Sequence, residues 1–251
     1  MKTLYEEYIN GRNAYEYPAI GLSATEILNN VENWADVYKQ QDFNTSLDLD
    51  NHHNSLLLSK NDNDILLGIY SVMYWGYITS GAKSRIRCNW LSVGNATNNQ
   101  LSLKHMGKTA AIDIIRNSES YLKNSKYSDA LMEIRKLPHV GVSFGTKFLA
   151  FIDPENVGIL DDKITRHLAS DSFSNILDKE TIQNLKKPKN ESVNNASIRY
   201  QAFCEALNQI KNRLNENSCK WNDLSGAKMN RFRAIDVERA FFAIAKQIDN
   251  A

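Results

Sequence analysis

The stretch from Leu137 to Arg166 holds residues whose types and spacing could do chemistry. It begins with Leu-Pro-His-Val-Gly, a tight turn between two helical patterns, and Gly141 stands just before the second helix. A glycine lets the turn amides approach another surface closely, and the free amides at a helix start suit a phosphate group. The same five residues are also compatible with an ordinary turn in an all-α core.

A carboxylate and an amine lie in the same stretch. Asp161 ends the run Gly-Ile-Leu-Asp at the start of a further helical pattern, where it could act chemically or simply cap the helix. Lys147 is one turn beyond Ser143, on the opposite side of its helix from Phe144 and Phe148. It is therefore expected to point away from the core, either as a nucleophile or as a contact to phosphate or solvent.

Helical patterns surround this stretch and must position it. The run Asp64–Tyr77 is apolar nearly all round, which predicts a central buried helix. Further helices are predicted over Thr25–Gln40, Lys104–Asn117, Tyr127–Lys136, Ala196–Leu214 and Arg233–Ile248. Loops are predicted over Asn44–Asn54, Ser170–Asn195 and Asn215–Lys228, with a basic turn around Lys83, Arg85 and Arg87. Strand signals are few, so the fold class is predicted to be mainly α.

Composition sets limits on the partners. A net charge of +1 gives no overall basic field, so a nucleic-acid partner requires cations gathered on one face. The three cysteines are too few for a four-thiolate iron–sulfur site, and their wide spacing favours reduced thiols. Neither an apolar signal core at the start nor a membrane-length apolar run is present, so we expect a cytoplasmic protein that does not enter a membrane.

Two runs of the stretch resemble the helix-hairpin-helix (HhH-GPD) DNA glycosylase superfamily. The adenine glycosylase branch has Leu-Pro-Gly-Val-Gly-Arg-Ser followed by Ile-Leu-Asp-Gly-Asn-Val-Lys-Arg. The matching runs here are Leu137–Ser143 and Ile159–Arg166, and the interval between them aligns without a gap. His139 replaces the hairpin glycine, and Phe144–Phe148 is unlike the adenine branch. These departures, with no iron–sulfur site, favour the cluster-free 8-oxoguanine-glycosylase-like bacterial proteins.

The resemblance implies a two-lobed helical glycosylase fold with the active-site cleft between the lobes. The chain is then a single unit, 1–251, with approximate lobes 55–169 and 1–54 plus 170–251. Such enzymes flip a damaged or modified base out of duplex DNA and break its N-glycosidic bond. Asp161 is expected to stabilise the sugar cation and activate water. His139, Val140, Gly141 and Ser143 are expected to hold the DNA backbone.

The sequence is compatible with three hypotheses about the reaction. Ser143 aligns with the lysine of glycosylase–lyases, and a hydroxyl cannot form a Schiff base, so a monofunctional enzyme is predicted. Lyase activity through Lys147 is the first alternative, and a non-catalytic DNA-binding module is the second. The substrate is predicted to be an oxidised purine or a hypermodified, phage-type base, which places the protein in DNA repair or antiviral defence.

The remaining site predictions concern the base pocket and the cofactors. Pocket candidates are aromatic or acidic residues: Tyr70, Tyr74, Trp75, Trp90, Phe144 and Asp236, with Glu238 beside it. An aromatic stripe at helical spacing is more often part of the core, and the two acids are more readily explained as charges at a helix start. No metal or cofactor is predicted beyond room for a structural monovalent cation at the hairpin. The expected partner is double-stranded DNA, and we expect a monomer.

Overall fold

The computed structural model describes residues 4–25, 31–169, 177, 179–188, 191–223 and 228–250. The described part is mainly helical, as predicted. Its helices are α1 Leu4–Asn13, α2 Trp34–Val37, α3 Ser46–Leu57, α4 Asp62–Trp75, α5 Lys83–Val93, α6 Leu103–Met106, α7 Lys108–Lys123, α8 Tyr127–Ile134, α9 Val142–Ile152, α10 Asp162–Ala169, α11 Lys179–Leu185, α12 Val193–Glu216 and α13 Ala234–Asp249. Two antiparallel strand pairs join β1 Ile20–Ala24 to β2 Tyr38–Asp42 and β3 Trp221–Asn222 to β4 Met229–Asn230. Short 3₁₀ turns cover Val31–Asn33 and Ile78–Ser80.

Helix α4 is the central buried helix that its apolar sequence predicts. Every residue from Ile65 to Trp75 is buried. The side chain of Asn61 caps the helix by accepting a hydrogen bond from the Asn63 amide at 2.9 Å. Helices α3, α5, α7 and α9 and strand β1 all pack on α4. Helix α9, which follows the hairpin, is therefore packed against a helix that is buried along most of its length.

The segment before α4 differs from its predicted structure. In the described part of Thr25–Gln40, the predicted long helix is replaced by a 3₁₀ turn, the one-turn helix α2 and the start of β2. The strand forms because it pairs with β1, with Gly21 opposite Gln41, and this is a non-local partner that helical periodicity does not show. The amide of Leu22 also donates to Ser71 Oγ at 2.8 Å, which fixes β1 on α4.

The predicted loop Asn44–Asn54 is wrong, because helix α3 covers most of it. Thr45 and Asp48 form a capping box: Thr45 Oγ1 accepts from the Asp48 amide, and an Asp48 oxygen accepts from the Thr45 amide, each at 3.1 Å. The basic turn around Lys83 is likewise helical, as α5, and α11 lies within the predicted loop Ser170–Asn195. Part of that loop falls outside the described residues.

Helices from the two ends of the chain pack together, and one of them also contacts the loop that follows α9. Helix α1 packs on α13, with Tyr8 and Phe241 in edge contact at 5.7 Å between ring centroids. The first amides of α13 reach the loop between α9 and α10: Ala234 N donates to Glu155 O at 3.1 Å, and Ile235 N donates to Pro154 O at 3.2 Å. This loop leads directly to Asp161, so α13 is fixed beside the predicted catalytic carboxylate.

Candidate active site

The hairpin joins α8 to α9 through Leu137–Gly141. His139 adopts a left-handed backbone conformation, with φ of 61°, at the position where the resemblance places a glycine. Gly141 precedes the first residue of α9, and a Cβ built on it would meet nothing within 4 Å. The amides of Val142 and Ser143 are at the helix start, where no intrahelical acceptor exists. The hairpin therefore leaves open space beside free donors, as a phosphate-binding turn requires.

The hairpin side chains have different environments. Val140 is buried, Gly141 is exposed and Ser143 is partly exposed. His139 lies beside Trp90, with ring centroids 5.8 Å apart, and its Nε2 is buried with no hydrogen-bond partner among the described residues. Burial lowers the pKa of His139, which favours a neutral ring at this turn. The guanidinium of Arg87 lies over Trp90 itself, 4.3 Å from a ring centroid of that residue. Trp90 is therefore part of the hairpin surface.

The loop before Asp161 is fixed by two hydrogen bonds from neighbouring helices. Leu160 N donates to Thr146 Oγ1 of α9 at 3.2 Å, and Tyr200 Oη of α12 donates to Gly158 O at 3.1 Å. Asp161 itself caps α10, since its Oδ1 accepts from the Ile164 amide at 2.9 Å. The capping interpretation of Asp161 is thus confirmed. Its carboxylate is also part of a cluster of ionisable groups, and its catalytic role stays a prediction.

Lys147 lies close enough to Asp161 for their charges to affect each other. Burial lowers the pKa of Lys147, although Asp161 and Glu238 oppose this effect by favouring the charged amine. Burial raises the pKa of Asp161, and the Ile164 amide and the Lys147 charge oppose that change. The Lys147 Nζ lies 5.1 Å from the ring centroid of Phe144 and 5.8 Å from that of Trp75. The amine is therefore held between a carboxylate and aromatic faces.

Glu238 is the third ionisable member of this cluster. It is 3% exposed, and its Oε2 has no hydrogen-bond partner within the described ranges. Burial and then the charge of Asp161 raise the pKa of Glu238 well above its usual value, while Arg239 and Lys147 act in the opposite direction. Gly158 allows this approach, because a Cβ on it would lie 2.8 Å from the Glu238 Cβ. Burial and the charge of Asp161 both favour the protonated, uncharged form of this carboxyl.

Aromatic side chains line the cluster. Phe144 stacks on Tyr77, with centroids 4.6 Å apart, and packs directly on Gly76. Trp75 contacts Tyr17 at 5.0 Å between centroids and donates its indole N–H to Pro18 O at 3.0 Å. Burial raises the pKa of Tyr17, and the charge of Asp161 adds to this effect, so Tyr17 is a neighbour of the carboxylate. Of the pocket candidates, Phe144 and Trp75 are thus brought to the ionisable cluster.

The structure places Tyr70 and Tyr74 elsewhere. Tyr70 is fully buried in the core, where its hydroxyl donates to Val31 O at 3.0 Å. The hydroxyl of Tyr74 donates to Gln40 Oε1 at 3.1 Å beside a separate cavity of about 250 Å³. Among the described residues, neither side chain contacts Asp161.

Asp236 requires a correction as a base-pocket candidate. It is fully buried, and its two oxygens accept from Arg12 Nε at 2.9 Å and from Arg233 Nε at 2.8 Å. Burial alone would raise its pKa, but Arg233 and Arg12 hold that pKa below its usual range. Arg233 and Arg239 also bind Asp50 of α3. Asp236 is therefore committed to a buried ion network that joins α1, α3 and α13, and Glu238 replaces it as the acidic candidate.

Tyr17 is a member of the site that was not assigned from sequence. Glu238 was named there only as the neighbour of Asp236, although it occupies the buried stripe of α13 together with Ala234, Phe241 and Ala245, and a charged residue within an apolar stripe is a signal that could have singled it out. Tyr17 gave no such signal, because it lies in an irregular segment and reaches the cluster only through tertiary contacts.

The described residues include no group of three or more His, Cys, Asp or Glu side chains placed to hold a metal ion. The predicted lack of an iron–sulfur cluster and the room for a monovalent cation at the hairpin both stay predictions. None of the helices in the described ranges is both long and apolar enough to cross a membrane.

The comparisons with known proteins point to one family. A family model described as "Putative 8-oxoguanine DNA glycosylase OGG-like protein" matches residues 52–242, which is well over half of the chain. The matched segment contains the hairpin, Lys147, Asp161 and Glu238. No curated protein and no solved structure matches the chain.

Proposed function

Because the chain belongs to the OGG-like 8-oxoguanine DNA glycosylase family, we propose that it excises a modified base from duplex DNA at the cluster of Lys147, Asp161 and Glu238. The observation that carries this proposal is the convergence of the three groups. The Asp161 carboxylate at a helix start lies near the desolvated amine of Lys147 and the buried carboxyl of Glu238. Aromatic faces lie beside this cluster, and Lys147 is on α9, the helix that begins at the hairpin turn.

Each group has a role in releasing a base. The base must leave the DNA stack before its sugar bond can be reached, and Phe144 and Trp75 offer faces for it. As the bond from C1′ to the base breaks, positive charge develops on the deoxyribose, and the Asp161 carboxylate stabilises that charge. A water oxygen then bonds to C1′, and its proton goes by way of Asp161 to the departing base. The protonated carboxyl of Glu238 can donate a hydrogen bond to the extruded base.

The test compares Asp161→Asn with Asp113→Asn, an exposed aspartate on α7. Both variants and the parent protein are assayed for abasic-site formation on duplexes that carry defined lesions, including oxidised purines and phage-type modified cytosines. We expect Asp161→Asn to lose base release on every substrate that the parent cleaves and to keep duplex binding. Equal base release by Asp161→Asn and Asp113→Asn would refute the catalytic role. A parent protein that binds duplex but releases no base from the panel supports the non-catalytic module instead.

A second candidate reaction is favoured by the position of Lys147. The monofunctional prediction rests on Ser143, which lines a cavity whose lining includes none of Lys147, Asp161 and Glu238. Lys147 instead lies beside Asp161, and burial lowers its pKa, which increases the fraction of neutral amine. Attack of this amine on C1′ would expel the base, which takes one amine proton. Breaking of the C1′–O4′ bond, with the second amine proton passing to O4′, would open the sugar ring and leave an imine. Removal of a proton from C2′ would then break the bond from C3′ to its phosphate oxygen, and the phosphate would leave.

Borohydride trapping separates the two reactions. A lyase gives a covalent protein–DNA adduct after reduction, and Lys147→Ala abolishes it. A monofunctional glycosylase gives no adduct, and its product is cut only by added alkali. An adduct that persists in Lys147→Ala would exclude Lys147 as the nucleophile.

The substrate class is the second part of the proposal. An oxidised purine is the substrate that the family description supports, and a hypermodified base is the alternative retained from the sequence. The former would place the protein in DNA repair and the latter in antiviral defence. The lesion panel decides between them, because one protein and one readout, abasic-site formation, cover both classes.

A further inference from the structure

A second cavity of about 160 Å³ lies on the Ser143 side of the hairpin helix. Three helices begin at it: its lining includes Val142 and Ser143 of α9, Asp162 of α10, and Ser192 and Val193 at the start of α12. Each helix start carries partial positive charge. The cavity is also much larger than the roughly 10–15 Å³ that a single water requires. It therefore has the room and the polarity for a small anionic group.

Arg199 supplies the observation that points to a ligand. It lines this cavity and is 7% exposed. Its Nε and Nη2 donate to Glu191 at 2.6 and 2.9 Å, but its buried Nη1 has no hydrogen-bond partner in the part of the chain that is described. A buried guanidinium nitrogen without an acceptor is costly. An oxygen ligand in the cavity would satisfy it.

The charges around the cavity limit which ligand fits. Lys187 is exposed at the cavity and adds a second cation, whereas Glu191 and Asp162 contribute carboxylates. Glu191 already occupies two nitrogens of Arg199, so a bound anion must share that guanidinium. A dianion would meet both carboxylates at close range. A singly charged phosphodiester, which also matches the free amides at the start of α9, is better suited.

We propose that this cavity binds a backbone phosphate of the DNA, next to the phosphate held by the hairpin amides. This inference rests on the proposed function in one respect: it takes duplex DNA as the ligand of the hairpin face. It adds a binding site formed by α9, α10 and α12, with Arg199 and Lys187 as its cations. Free phosphate shares the same chemistry, and the experiment distinguishes the two sources.

The experiment measures binding to an undamaged duplex, so it does not depend on base release. Affinity is followed by fluorescence anisotropy over a range of salt concentrations for the parent protein, Lys187→Ala and Glu191→Gln. Lys60→Ala is the matched control, since Lys60 is exposed and does not line this cavity. Lys187→Ala should reduce the slope of log K against log salt by about 0.9, the value expected for one lost phosphate contact. Glu191→Gln should bind more tightly than the parent, because it frees Arg199 for phosphate.

The opposite signs of these two effects separate a ligand site from a structural ion pair. If Lys187→Ala has the same salt slope as Lys60→Ala, or if Glu191→Gln does not tighten binding, the proposal is overturned. Inorganic phosphate forms the other arm. If it raises the melting temperature of the parent but not of Lys187→Ala, while duplex binding is the same in both, the cavity is a free-phosphate site. Failure of the glycosylase proposal would instead appear as absent base release with these binding effects intact.

Discussion

Replacing Glu238 with glutamine tests the protonation state at the centre of the site. The two side chains have nearly the same shape, but glutamine cannot ionise. Glu238 is buried and its pKa is raised well above the usual glutamate value of 4.5. In the folded protein it therefore keeps its proton as the pH rises above 4.5, whereas in the unfolded chain it loses that proton. The unfolded state then binds fewer protons, so the wild-type protein loses stability with rising pH until the folded pKa is reached.

The size of this effect follows from one proton. Stability changes by about 1.4 kcal/mol per pH unit for each proton by which the two states differ. Between pH 5 and pH 7 the unfolding free energy of Glu238→Gln should therefore rise relative to that of the parent, and the limit for one proton over these two pH units is about 3 kcal/mol. Urea unfolding at pH 5, 6 and 7 measures this difference. Glu180→Gln serves as the control, since Glu180 is exposed on α11.

Parallel pH dependences in the parent and Glu238→Gln would refute the reasoning. They would show that Glu238 ionises in the folded protein as it does in the unfolded chain. The neutral carboxyl proposed for contact with the extruded base would then be lost as well. A stabilisation that is the same at all three pH values would point to improved packing rather than to removal of a titrating group.

Three further outcomes are expected. Gly158→Ala places a Cβ 2.6 Å from Leu207 Cδ1, so urea unfolding should show a loss of about 1–3 kcal/mol, and an unchanged midpoint would contradict this close packing. Thr146→Val removes the acceptor of the buried Leu160 amide; it should cost about 1–3 kcal/mol and lower the single-turnover rate of base release more than duplex affinity. The rate of base release should fall as the pH is lowered, and the fall should begin above pH 3.8, because burial raises the pKa of Asp161 and its carboxylate must be ionised. A rate that stays constant down to pH 4 would count against this role.

The sequence predicted the elements that are set by local pattern. The apolar run of α4, the hairpin and the start of α10 after Asp161 are all local signals, and each is where the pattern placed it. The strand pair β1–β2 could not be found in the same way, because Tyr38–Asp42 has only one buried residue and is held by pairing with β1. The capping box at Thr45 was a readable local signal for α3 and was missed.

The candidate site was only partly predictable for a related reason. Lys147 and Asp161 lie within one short stretch, so their spacing along the chain was informative. Glu238 comes from the far end of the sequence. It reaches the cluster because α13 bonds to Glu155 O and Pro154 O through its first amides and because the arginines around Asp236 fix its first turn. Such long-range placement leaves no spacing signal in the sequence.

The three ionisable groups have different environments, and those environments are the basis of the roles proposed for them. Asp161 is partly exposed, accepts a helix amide and faces the Lys147 charge, so it can stay ionised although burial raises its pKa. Glu238 lies deeper, with an unpartnered oxygen and an ionised Asp161 nearby, so its neutral form is favoured. Two carboxyl groups whose pKa values are pushed apart can serve as a stabilising anion and a proton donor at one pH. Lys147 also favours the ionised Asp161, so its replacement by methionine should move the acid limit of base release to higher pH. An acid limit that does not move would place the Lys147 amine too far from Asp161 to act in the same step.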